Sequence, residues 1–147
     1  MAEGGVIMKR VLLVLSVVLL SAGFASRKAE PYRVAFDLTS RDSVDQAATL
    51  RWIREVTGAS PDAEIEVVMY GKGFELVMPD RSIAIAEVKN AMSNPKVSFK
   101  VCAIALRNNK IQTSQLLPGV QVVPDGIREL VEKQQQHWGY IKASVSR

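Results

Sequence analysis

Cys102 is the only cysteine in the 147-residue chain and the side chain best suited to covalent chemistry. It closes a short apolar, β-branched run, Val97 to Cys102, of the length expected of a buried strand. Ala103, Ala105, Leu106 and Arg107 follow, all good helix formers, and then Asn108 and Asn109, which tolerate the left-handed conformation that ends helices. The thiol is therefore expected where a strand passes into a helix. In open α/β sheets that carboxyl edge is where ligands collect. Unpaired N–H groups at a helix start also favour the thiolate. Burial is less expected there than in mid-strand. A lone thiol still has three readings: a reactive group, a buried small hydrophobe, or a link to another chain.

Few other residues compete for a chemical role. Asp37 ends the first expected strand and is either a site carboxylate at the same sheet edge or a solvated loop acid. Gly71-x-Gly73 follows the second strand. It lacks the third glycine and the lysine-serine pair of a phosphate loop, and reads as a tight turn lining a pocket. Arg107 lies one turn into the helix after Cys102, where it either adds positive potential near the thiol or faces solvent. His137 is the only histidine, in a glutamine-rich helix end that no spacing brings to Cys102. With no base committed to the thiol, a cysteine hydrolase is poorly supported. The absence of C-x-x-C excludes thioredoxin-type dithiol exchange. Glu64-x-Glu66 is a pair of acids without His or Cys partners, so no metal site is expected, and no cofactor is implied. Ser98 and Lys100 share the strand face of Cys102 and line either a pocket or an interface.

Before these residues, Lys9-Arg10 opens a run of about ten apolar residues, Val11 to Leu20, followed by the small residues Gly23 and Ala25. The pattern reads as a secretory signal peptide over residues 1–25. The run is short of the roughly 20 apolar residues of a spanning helix. Met8 is an alternative start, since Met8-Lys9-Arg10 opens the basic region directly. Residues 26–147 are one domain's worth of chain, expected to be periplasmic or secreted, with no membrane association after cleavage. Nineteen Lys+Arg against 15 Asp+Glu is a mild basic excess. No basic run alternates with aromatics, so nucleic acid is not an expected partner.

The elements that must position the thiol can be read in order. Tyr32–Leu38 is a strand. A helix capped by Asp42 or Ser43 places Val44, Ala48, Trp52 and Val56 on an apolar ladder facing the sheet. Ile65–Tyr70 is a second strand, and Phe74–Met78 is a short strand or one helical turn. Pro79 to Ser82 opens a helix with Ala84, Ile85, Val88, Ala91 and Met92 on one side. The strand to Cys102 comes third, then a capped turn from Thr113 and a fourth strand, Val120–Val123. The last helix puts Ile127, Leu130, Val131 and Trp138 on its inner stripe, and Tyr140–Lys142 adds a terminal strand. Strands alternating with helices predict an α/β three-layer sandwich, with a mostly parallel sheet of about five strands covered on both faces.

Cys102-x-x-Ala105-x-Arg107 after an apolar strand resembles the cysteine segment of the DsrE/DsrF-like sulfur-relay family. Val67 to Leu76 resembles that family's second strand and glycine turn. Leu116-Leu117-Pro118-Gly119-Val120 to Val123-Pro124-Asp125-Gly126 resembles its final strand-helix junction, and the likeness spans most of residues 31–142. The resemblance implies a flavodoxin-like fold, assembly as trimers or hexamers, and a cysteine that carries sulfur as a persulfide between donor and acceptor thiols. It gives Cys102 the carrier role, with Arg107 as a possible neighbour. A second reading, drawn from the missing base and metal ligands, is a non-catalytic homo-oligomeric binding protein with a structural cysteine.

Overall fold

A computed structural model describes residues 30–145. The chain divides into Met1–Glu30, almost all of it outside those residues, and Pro31–Arg147. The expected signal peptide lies outside the described residues. Among those residues, no helix is long and apolar enough to cross a membrane.

Five strands form the sheet: β1 (Arg33–Leu38), β2 (Glu64–Met69), β3 (Val97–Cys102), β4 (Gln121–Val123) and β5 (Gly139–Lys142). Their order is β4-β3-β2-β1-β5 and every neighbouring pair is parallel. The expected α/β architecture is present. Four helices connect the strands: α1 (Ser43–Ala59), α2 (Ile85–Met92), α3 (Ala103–Asn108) and α4 (Gly126–Gln135). Side chains start two of them. Asp42 accepts from Val44 N at 2.8 Å to begin α1, and Asp125 accepts from Ile127 N at 2.9 Å to begin α4.

The register sorts each strand's residues onto two unlike faces. On one face, Val34, Ile65 and Val97 lie side by side, then Phe36, Val67 and Phe99, then Leu38, Met69 and Val101. Leu50 and Ile53 of α1, Val88 of α2 and the buried 3-10 turn Gly73–Val77 complete this core, and Trp52 stacks on Phe36 at 6.2 Å between ring centroids. The ambiguous Phe74–Met78 stretch is thus one tight helical turn. It is drawn inward because Phe74, Leu76, Val77 and Met78 are all fully buried. Gly73 is obligatory at its start, since a Cβ there would collide with the carbonyl oxygen of Leu38.

The opposite face carries Tyr140, Ala35, Glu66 and Ser98 in one row, and Lys142, Asp37, Val68, Lys100 and Gln121 in the next. Among the described residues only α4 covers it, with a small apolar cluster of Ala35, Val68 and Leu130 between them. Several expectations change here. Ile127 and Val131 face solvent instead of the sheet, and Leu130 alone of the expected stripe is buried, because the sheet opposite α4 offers charges in place of an apolar surface. Val44 is likewise exposed, and α1 presents Ala48, Thr49 and Ile53 inward, with Trp52 and Val56 half-buried at the rim. The second long helix begins at Ile85, after turns through Pro79–Ser82. The left-handed residue after α3 is Lys110, at φ 56°, and not an asparagine.

Candidate functional site

Cys102 is the last residue of β3 and the residue that caps α3, as the strand-to-helix reading requires. Its own side chain makes no capping hydrogen bond to the first N–H groups of α3. The thiol is nevertheless buried, at 4% exposure, contrary to the expectation for a strand end. The causes are packing in the apolar cluster and α4. A Cβ added at Gly126 would sit 3.1 Å from Cys102 Cβ, 3.3 Å from Val68 Cγ1 and 3.5 Å from Tyr70 Cβ. Glycine therefore lets the start of α4 settle directly over the thiol.

Beside this contact is a cavity of about 280 Å³. Cys102 lines it together with Tyr70 and Gly71 from the end of β2, Ile104, Ala105, Asn108 and Asn109 from α3 and its end, and Asp125 and Ile127 from the start of α4. Apolar side chains and amides make up most of the wall, and Asp125 is the one carboxyl side chain lining it. The Asn109 amide donates to Ala105 O at 2.7 Å, and Asp125 is held by its capping bond, so these walls are fixed by their own elements.

Of the candidate residues, Gly71 joins Cys102 in the cavity. Gly73 does not, since it is packed on Leu38. Arg107 is exposed on α3 and does not line the cavity. His137 is exposed beyond α4 at φ 63° and is also absent from it. Asp37 reaches the cavity only through Tyr70. Its Oδ2 accepts from Tyr70 Oη at 3.1 Å and Tyr140 Oη at 2.7 Å, and its Oδ1 from Lys142 Nζ at 3.1 Å. Lys142 also donates to Thr39 Oγ1 at 2.9 Å. Both phenols are pushed up to about 12. For Tyr70 burial is the larger cause and the Asp37 carboxylate the next; for Tyr140 the hydrogen bond to Asp37 leads.

A second polar cluster lies deeper, between the sheet and α4. Glu66 is 2% exposed, and its Oε2 meets Lys100 Nζ at 2.8 Å and Lys133 Nζ at 3.0 Å. Lys100 also binds Glu129 Oε1 at 2.7 Å, and Lys133 sits 4.4 Å from the Trp138 ring centre. Burial raises the Glu66 carboxyl above its usual range, against the pull of Lys100 and Lys133. Burial acts the same way on Glu129, but the hydrogen bond from Lys100 and the charges of both lysines hold it below that range. Glu66 Oε1 is buried with no hydrogen-bond partner. Lys100 therefore belongs to this cluster and not to the cavity, while Ser98 donates to Ile65 O at 3.3 Å.

Sequence reasoning missed Tyr70, Asp125 and the paired phenols. Tyr70 stands one residue past the Met69–Val101 pair, beside Cys102 on the same edge, so register identifies it once the strands are aligned. Among the described residues no group of three or more His, Cys, Asp or Glu is placed to hold a metal. Chemically, the arrangement offers one thiol in a small cavity, at the start of a helix, with Asp125 the one carboxylate on the same wall.

A family model for the DsrE/DsrF-like family matches residues 33–143. No curated protein matches. Among solved structures, a protein of unknown function from Methanobacterium thermoautotrophicum, MTH1491, is 29% identical, with a TM-score of 0.71 over 76% of this chain and 98% of its own. The ychN protein of E. coli is 14% identical, with a TM-score of 0.61 over 76% of this chain and 98% of its own. BT1422 of Bacteroides thetaiotaomicron, a conserved protein of unknown function, is 16% identical, with a TM-score of 0.57 over 75% of this chain and 93% of its own. The last two likenesses are of fold alone.

Proposed function

The chain belongs to the DsrE/DsrF-like family, a sulfur-relay-type family, and from that premise we propose that it is an exported protein that carries sulfur as a persulfide on Cys102 and passes it to a partner thiol. The observation that carries the reading is the position of Cys102, on the floor of a cavity at the carboxyl edge of the sheet and at the uncapped start of α3. Sulfur transfer between thiols needs a thiolate and access, and no general base once the thiolate is formed.

In the loading step, Cys102 Sγ as thiolate attacks the sulfane sulfur of a donor persulfide. One S–S bond forms, the donor's S–S bond breaks, and the donor leaves as a thiolate. In the unloading step, an acceptor thiolate attacks the outer sulfur and Cys102 leaves as a thiolate. Each exchange is balanced and needs no outside oxidant. Gly71 and Tyr70 shape the entrance, and Asp37 holds Tyr70 in place. Arg107, exposed one turn along α3, is available to a docking partner and not to the thiol.

The basic, apolar and small-residue pattern of residues 1–25 supports export. The exposed apolar side chains Val122, on the edge strand β4, and Ile127 and Val131, on α4, support assembly with further copies of the chain as a trimer or hexamer. The test is loading with a low-molecular-weight persulfide, followed by intact mass. The wild-type protein is expected to gain one sulfur atom and to return it to an added thiol, and Cys102→Ser to gain none. Equal gain in both would remove the proposal.

The 4% exposure of Cys102 favours a second reading, a non-catalytic homo-oligomeric binding protein with a structural cysteine. That reading requires a thiol inert in the folded protein and partner binding unchanged in Cys102→Ala.

A further inference from the structure

A thiol that must meet the thiol of another protein is buried here, and the element that buries it is attached in an unusual way. α4 closes over Cys102 through Gly126 and forms one wall of the cavity through Asp125 and Ile127. Its grip on the sheet pairs a small apolar contact with an ionic one. Leu130 is its one buried large apolar side chain, resting on Ala35 and Val68, and Gly126 packs on Val68 and Tyr70. The ionic contacts are Lys133 to Glu66 at 3.0 Å and Glu129 to Lys100 at 2.7 Å. The acid at the centre of this group keeps one oxygen unpartnered although it is almost fully buried. Helices held by apolar burial stay closed until the fold is lost. Elements with few buried apolar contacts open separately and at lower cost.

We infer that α4 is the cover of Cys102, a helix latched to the sheet by the Glu66–Lys100–Lys133–Glu129 cluster, whose lifting exposes the thiol to the thiol of a second protein. The inference rests on the reading of Cys102 as a sulfur carrier for its purpose, but not for its geometry. With α4 down, the cavity admits a small molecule to Cys102. With α4 lifted, the edge beyond Tyr70 is open to a protein segment.

Native-state hydrogen exchange and alkylation of Cys102 by iodoacetamide, both in sub-denaturing urea, test it. The α4 amides are expected to exchange at least tenfold faster than the buried amides of α1, with little dependence on urea, and alkylation should follow the α4 rate. Glu66→Gln, which takes away the charge that both lysines bind, should speed α4 exchange and alkylation a further tenfold or more and leave α1 unchanged. Gly126→Ala, which pushes on Cys102 without touching a charge, should do the same to alkylation. If α4 and α1 exchange at one common rate with the same urea slope, the helix leaves only on global unfolding and the inference falls. The wild-type comparison decides this even where Glu66→Gln does not fold. Fast α4 opening with no sulfur gained would sink the carrier reading and keep the cover. Sulfur passed to a protein thiol while α4 stays protected would do the reverse.

Discussion

Phe36 and Asp37 are consecutive residues of β1 and meet opposite surroundings. Phe36 joins a continuous apolar layer against α1, α2 and the buried turn, where every partner in its row is a hydrocarbon. Asp37 joins two phenols and a lysine on the other face, and a row away Glu66 binds two more lysines. Parallel sheets are ordinarily apolar on both faces because helices cover both. In this chain one face obeys that rule and holds the fold. The other face exchanges apolar burial for placed polar groups. Cys102 and its cavity lie at the carboxyl edge where the two meet, packed in the apolar cluster and walled by α3 on one side and the start of α4 on the other.

The contrast is testable by substitutions on either side. Phe36→Ala should cost about 3–5 kcal/mol in chemical denaturation, the range for emptying a buried aromatic site. A loss under 1 kcal/mol would mean that the apolar face is not the structural one. Glu66→Gln should cost less, about 1–3 kcal/mol, because it strands buried lysines without opening a cavity. Replacing Glu66 together with Lys100 and Lys133 by apolar residues of similar volume should restore most of that loss. A triple variant less stable than the single one would show that the cluster holds the face by more than charge pairing.

Alkaline titration probes the same face through its phenols. Groups whose ionisation is raised to about 12 in the folded protein keep their protons where the unfolded chain, near 10, loses them. Their stabilisation is whole below about pH 10 and fades as pH climbs toward 12. Phenolate absorbance should show Tyr70 and Tyr140 ionising near the upper figure, and Asp37→Asn should bring both down. The smallest expected effect is on the outside of α4. Ile127→Ser with Val131→Ser should leave protomer stability within about 0.5 kcal/mol, since both side chains are exposed. The same pair should disrupt self-association in sedimentation if that surface meets another copy.

The sheet was legible in the sequence because its periodicity is sharp. Val34, Phe36 and Leu38 alternate with Ala35 and Asp37, and Cys102 stands where β-branched residues give way to helix formers. The direction that two helices face was not legible. Ile127 and Val131 have core spacing, but helix periodicity reports only that apolar residues share a stripe, and the surface opposite decides which stripe is buried. Charged residues far apart in sequence, Glu66, Lys100, Glu129 and Lys133, supply that surface only after folding. The burial of Cys102 was hidden for a similar reason. It follows from packing in the apolar cluster and from one absent side chain at Gly126, 24 positions along the chain.

The strand order also has a consequence for how the molecule is made. β1, the first strand of the domain, is paired on one side with β5, the last. A chain emerging from the ribosome can assemble β1 to β4 and most of the apolar layer before residues 139–142 exist in usable form. The Asp37 cluster cannot close until Tyr140 and Lys142 arrive. Such long-range closure is slow relative to local pairing, so until then β1 presents an open edge. Synthesis therefore builds most of the structural face first, and a protein interrupted near its end would lack the Asp37 cluster and the Ile141–Ala143 edge of the apolar layer.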